Sequence, residues 1–193
     1  MLVCNATLRS ISPISFGAPI LTEMKTGEGH VAFAERTWRE KIHVDEKGRV
    51  FMPPSAIKIC LETAAQSFVK MSIPGEKGAT YSKRFKAGLL SLQPIIFFTG
   101  DRPATVADCR PLKLFVPSDG KRGSGSRVWR FFPTLDSWQA DITLHVVDLK
   151  ITEKVLETHL REAGKFVGMG SIRAEGGGVH GRFEVVGFEC GEE

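Results

Sequence analysis

Trp138-Gln-Ala-Asp-Ile-Thr-Leu-His-Val-Val147 is the stretch on which the fold turns, read together with the segment after it, Ile151-Thr-Glu-Lys-Val-Leu-Glu-Thr-His-Leu-Arg-Glu-Ala-Gly164. In the first, Trp138, Ala140, Ile142, Leu144 and Val146 alternate with polar neighbours, the period-two pattern of a half-buried strand. In the second the period lengthens to that of a helix. Thr152 is a natural N-cap, Ile151 and Leu156 fit a hydrophobic staple, and Val155, Leu156, Leu160 and Ala163 form the buried stripe. Gly164 is expected as the glycine just past the helix end.

Working outward, the same two periods recur. Residues 1–11 alternate loosely and predict a first strand. Lys41 to Met52 predicts a hairpin turning at Asp45-Glu-Lys-Gly48. Ile57, Leu61, Ala64, Ala65 and Phe68 predict a helix over about 55–70, after Pro53-Pro54 and with Ser55 able to cap. Further strands are expected over Leu89–Phe98, Cys109–Val116 and Arg127–Phe132. With Trp138–Val147 they read as an antiparallel meander. Arg182–Cys190 reads as the final strand, and Phe33–Glu40 as a short helix. Stripped of loops, the order is strand, helix, strands, helix, strand. That predicts a single α+β domain over 1–193 with a ferredoxin-like or RRM-like core, an antiparallel sheet backed by two helices, and insertions at 12–40 and 72–130.

The composition is that of a globular chain: 193 residues, 42% hydrophobic and 25% charged. No apolar run approaches the ~20 residues that a membrane helix needs, and the first residues lack a basic leader region. A cytoplasmic protein without membrane contact is expected. Cysteines at 4, 60, 109 and 190 have no paired spacing and read as reduced, mostly buried thiols. The five histidines are likewise scattered, so neither a metal nor another cofactor is expected.

Charge is where the chain departs from the ordinary. The net charge is +4, yet residues 77–130 hold eleven Lys or Arg against three Asp. Such a split marks an electrostatic footprint for a polyanion. Three segments carry it. Asp119-Gly-Lys-Arg-Gly-Ser-Gly-Ser-Arg-Val-Trp-Arg-Phe-Phe132 sets Lys121, Arg122, Arg127 and Arg130 beside Trp129, mobile cations for phosphates and a flat ring for a base. Its bland alternative is a solvated hairpin tip with Trp129 buried. Lys77-Gly-Ala-Thr-Tyr-Ser-Lys-Arg-Phe-Lys86 places the one tyrosine, Tyr81, among Lys83, Arg84 and Lys86. Gly164–Phe183 contains seven glycines, together with Arg173 and Arg182. Its backbone amides are candidates to approach a phosphate, and it matches neither a Rossmann nor a Walker A pattern.

Several motifs together resemble a family of small phage and prophage proteins. They are Arg36-Thr-Trp-Arg-Glu-Lys-Ile-His-Val44, Val50-Phe-Met-Pro-Pro54, Lys77-Gly-Ala-Thr-Tyr81, Phe115-Val-Pro-Ser-Asp-Gly-Lys-Arg122, Arg127-Val-Trp-Arg130 and Ala163-Gly-x-x-x-Gly-x-Gly170 with Gly181-Arg-Phe-Glu-Val185. The resemblance implies a phage setting and supplies no reaction. A ferredoxin-like core with a glycine-rich loop after its second helix also resembles, more distantly, the RAMP superfamily, which includes the backbone subunits of CRISPR surveillance complexes.

These readings converge on a non-catalytic protein that binds single-stranded DNA or RNA, with DNA favoured, in phage replication or recombination. Two alternatives stand beside it: a host-defence antagonist that mimics or blocks a CRISPR backbone subunit, and an RNA endonuclease using His180 as general base. A head-to-tail homo-oligomer, ring or filament, is expected, with Phe16, Ile20, Leu21 and Phe33 of the 12–40 loop reaching a neighbour; the alternative is that this loop folds back over its own core.

Overall fold

The structure is a computed structural model that describes residues 1–118 and 125–192. The chain begins with β1 (Leu2–Ser10) and β2 (Ile14–Ser15), then α1 (His30–Thr37) and a short 3₁₀ turn, Trp38–Lys41. The hairpin β3 (His43–Val44) and β4 (Val50–Met52) leads into α2 (Ser55–Ser67) and α3 (Ser82–Gly88). Four short strands follow: β5 (Leu89–Leu90), β6 (Ile95–Ile96), β7 (Phe98–Thr99) and β8 (Arg102–Pro103). The long strands β9 (Arg110–Pro117), β10 (Arg127–Leu135) and β11 (Gln139–Val146) precede α4 (Glu153–Phe166) and β12 (Phe183–Glu192).

The main sheet runs β12-β1-β11-β7-β8, with β5 also paired to β11, and its pairings are antiparallel. First strand beside last, and third-region strand beside first, is the ferredoxin-like order, so the fold is α+β as expected. Helix α4 lies on α2 and β12, and α2 on α3. The alternation in β11 holds: Ala140, Ile142, Leu144 and Val146 are buried while Asp141 is exposed. Thr152 caps α4 by accepting from the Val155 amide, and Ile151 and Leu156 are both buried. Beneath the sheet, Phe16, Phe97, Trp138 and Phe183 meet edge to face in a continuous aromatic seam.

Several expectations are corrected. The meander is not one sheet: β9 and β10 form a ribbon that joins β2 in a separate sheet, and β6 joins β3 and β4 in a third. Leu89–Phe98 breaks into three pieces: Pro94, with no N–H for a ladder, lies between β5 and β6, and β6 and β7 then pair in different sheets. Ser55 is the first residue of α2 rather than its cap. Gly164 lies inside α4, where a Cβ would come 2.2 Å from the Phe183 carbonyl oxygen; the position past the helix end belongs to Gly168, at φ +75°.

The helix expected in segment 12–40 is present as α1, and it and the 3₁₀ turn lie against β10, with Phe16 and Trp38 in the core. Of the four apolar residues expected to reach a neighbour, Phe16 is buried, Ile20 and Phe33 are half-buried and Leu21 is exposed. The four cysteines are not all thiols: Cys4 and Cys190 are directly opposed across β1 and β12 and form a disulfide. Cys60 and Cys109 are free and buried. Among the described residues no helix is long and apolar enough to cross a membrane.

Candidate nucleic-acid interface

The open face of the main sheet, where an RRM would seat RNA, carries the carboxylates Asp141, Glu184 and Glu189 among Asn5, Thr7 and Thr143, with Arg9 paired to Glu184. The balance of these charges disfavours phosphate. The basic material lies elsewhere, on the ribbon.

Pairing along the ribbon sets Trp129 opposite Phe115 and Arg130 opposite Leu114. Alternation then gives two faces. On one, Phe115 and Trp129 meet with ring centroids 5.0 Å apart and stand 48% and 45% exposed, with the Lys113 ammonium 5.2 Å from the Trp129 ring. Trp129 is thus not core, whereas Phe131 beneath it is. On the other face, Arg130, Val116 and Phe132 form one wall of a cleft of about 580 Å³. The opposite wall is the glycine-rich loop after α4, including Gly170, Ser171, Arg173 and Gly178.

Glycine is required in that loop for shape. Gly168, Gly170, Gly177 and Gly181 all have positive φ. The loop is not a nest of free amides, which corrects the sequence reading. Met169 donates to Gly181 O, Ser171 to Ser15 O, His180 to Ile172 O and Gly181 to Pro13 O. The loop is a wall held by hydrogen bonds within itself and to Pro13 and Ser15, and it brings Arg173 with Glu175 to the cleft.

The cations at the cleft, Arg130 and Arg173, and Lys41 beside Phe132 differ in their engagement. Arg130 donates to the Ser118 carbonyl at 2.6 Å. Arg173 shares Glu175 at 3.2 Å, a surface pair of the weak kind. Lys41, which the sequence reading passed over, donates to Phe131 O at 2.8 Å and lies 5.2 Å from the Phe132 ring centroid. Burial pushes the Lys41 pKa down, and the nearby positive charge of Arg130 adds to the effect. The only sequence signal for Lys41 was its place at the start of the hairpin.

The other candidates fall away from this cleft. Tyr81 is 2% exposed and packs edge-on against His159, so it is a core residue and not a stacking platform. Arg84 is held by Glu76 and Asp148. Lys83 and Lys86 are exposed on α3 and do not line the cleft. Arg182 is exposed beside the first turn after β1, also outside it. Arg127 is exposed on the ribbon, and Lys121 and Arg122 lie outside the described residues. His180 is 8% exposed, and burial lowers its pKa.

The chain is therefore a ferredoxin-like α+β protein in which a projecting ribbon and a glycine-rich loop enclose one basic cleft. No family model matches it, and no curated protein does. Among solved structures it is similar to a chain of "Cryo-EM structure of the Type III-B Cmr-beta bound to cognate target RNA", with TM-score 0.51 and 10% identity, over 98% of this chain and 60% of that one. The likeness is one of fold, and this chain spans 60% of the length of the other.

Proposed function

We propose that the protein binds a single strand of nucleic acid, without cleaving it, along the cleft between the β9–β10 ribbon and the glycine-rich loop. One observation carries this reading. Arg130 and Arg173 stand on opposite walls of one cleft, and Arg130 has no carboxylate partner among the described residues. A backbone phosphate suits Arg130, and Arg173 can exchange its exposed pair with Glu175 for the next phosphate. Lys41, beside the Phe132 ring, adds positive charge close to that wall. Phe115 and Trp129 are exposed on the ribbon's other face, away from the cleft, and offer a stacking surface to a strand that crosses the ribbon's edge.

RNA stands beside DNA as the ligand, because the structure that holds the similar chain contains target RNA. The phage motifs are consistent with a role in replication or recombination, with copies arrayed along one strand. Fold likeness over nearly the whole chain favours a second reading, in which the protein mimics a CRISPR backbone subunit as a host-defence antagonist. The buried His180 argues against the endonuclease reading, since a general base must reach its proton.

A mobility shift on single-stranded RNA, single-stranded DNA and duplex, with and without magnesium, tests the proposal. A shift on either single strand without cleavage is expected. Cleavage overturns the non-catalytic reading, and no shift on any nucleic acid leaves only the antagonist.

A further inference from the structure

Beyond Arg173 the cleft leads to a second, smaller cavity of about 200 Å³. Its walls are Met52, Pro53, Ile59 and Met169 with the ring of His43, and Gly170, Ser171 and Arg173 line both cavities. A strand whose phosphates follow Arg130 and Arg173 passes the mouth of this cavity. We infer that it takes one unpaired nucleobase, turned out of the strand held in the cleft, so that binding discriminates between bases. The inference rests on the nucleic-acid reading above and adds a specificity site to it.

The chemistry fits a flat, amphipathic ring. Sites for drug-sized ligands occupy roughly 300–1,000 Å³, and the smaller cavity here suits a single ring system whose sugar and phosphate stay outside. Its apolar lining, Met52, Pro53, Ala56, Ile59 and Met169, stands beside His43, which is half-buried and tilted against Phe51 at 5.4 Å. Burial lowers the His43 pKa, so at neutral pH the residue offers a neutral aromatic face. Ser15, Ser55, Ser171 and Arg173 add polar groups to the lining. The Ser15 hydroxyl is already engaged by the Ile172 amide, but Ser55 and Ser171 are placed to donate to or accept from a base edge. Ile59, 44% exposed, stands at the entrance. Phosphate contacts position a strand and carry no sequence information, whereas a pocket for the base edge does.

The test is binding of four single-stranded homopolymers across a salt series. The wild type is expected to favour one base type by about tenfold, the scale of one good base contact, with the same salt slope on all four. Ile59→Trp, which fills the entrance, and His43→Ala, which removes a wall, are each expected to level the four affinities and leave the slope unchanged. Circular dichroism confirms that each variant is folded. Equal wild-type affinities with a steep salt slope overturn the base pocket and leave the cleft reading intact. A preference that survives both variants also overturns it. Absence of binding to every strand overturns the cleft reading and this inference together.

Discussion

Gly170 lies directly against Ser15: a Cβ on Gly170 would sit 2.3 Å from the Ser15 carbonyl oxygen, and its φ is +89°. Ser15 in turn accepts from the Ser171 amide at its carbonyl and from the Ile172 amide at its hydroxyl. Strand β2, which continues the ribbon's sheet, is thus bonded to the loop that forms the far wall of the cleft. Gly170→Ala must move one of them. Strain at positive φ and overpacking together are expected to cost about 2–4 kcal/mol, read as a lower urea midpoint with an unchanged slope. Gly27→Ala is the control. It shares positive φ but meets nothing within 4 Å, so it carries the backbone strain alone.

The Cys4–Cys190 disulfide joins the first strand to the last across 186 residues of sequence. Reduction, or Cys190→Ser, frees the end of an edge strand. The expected loss is about 2–4 kcal/mol, measured by denaturant unfolding with and without reductant. The reductant is expected to have no effect on the Cys190→Ser protein.

His159 is fully buried in α4 against Tyr81 and Phe85. Its Nδ1 lies 2.7 Å from the Val155 carbonyl oxygen and fits a donor, while Nε2 is buried without a partner. Burial lowers its pKa below the ordinary 6.5. The unfolded chain therefore binds the proton more readily than the folded one. Stability is full above about pH 6.5 and falls as pH drops toward the folded pKa. His159→Leu removes the titrating group and is expected to flatten that fall, measured as the urea midpoint from pH 7.5 to pH 5. His43 and His180, whose pKa values are lowered by burial too, keep part of the slope.

The elements legible in the sequence were those specified by local pattern. Trp138 to Val146 alternate because one face of β11 is buried, and Thr152 with Ile151 marks the start of α4 through contacts made within a turn or two. What the sequence left open depends on distant partners. Period two marks β9 and β10 as strands but does not say that they leave the main sheet for β2. Tyr81 among cations reads as a binding residue, and becomes core only because α4 brings His159 to it. Cys4 and Cys190 show no spacing signal, since their pairing comes from the register of β1 with β12. At the cleft, Arg130 and Arg173 were visible as charges. Lys41 was not, because its importance comes from facing Phe131 and Phe132 across the fold.

The cleft and α3 provide a contrast between cations that bind and cations that hold the fold. Arg130 and Arg173 line the cleft, whereas Arg84 bridges Glu76 and Asp148 at the start of α3. If single strands lie in the cleft, log affinity falls with log salt by about 0.7 per phosphate contact. Arg130→Ala with Arg173→Ala is expected to reduce that slope by one to two contacts, about 0.7–1.4, with the urea midpoint nearly unchanged. Arg84→Ala should behave oppositely. It takes the cation from Asp148 and one of the two from Glu76, which keeps Lys150, so stability falls while the salt slope stays. Lys83→Ala with Lys86→Ala, on the exposed side of α3, should alter neither quantity by more than the few tenths expected of a surface change. Measuring salt slope and unfolding midpoint on the same preparations separates the three cases. An undiminished slope in the Arg130/Arg173 pair, or a slope lost in the Lys83/Lys86 pair, would move the binding surface from the cleft to the helical face.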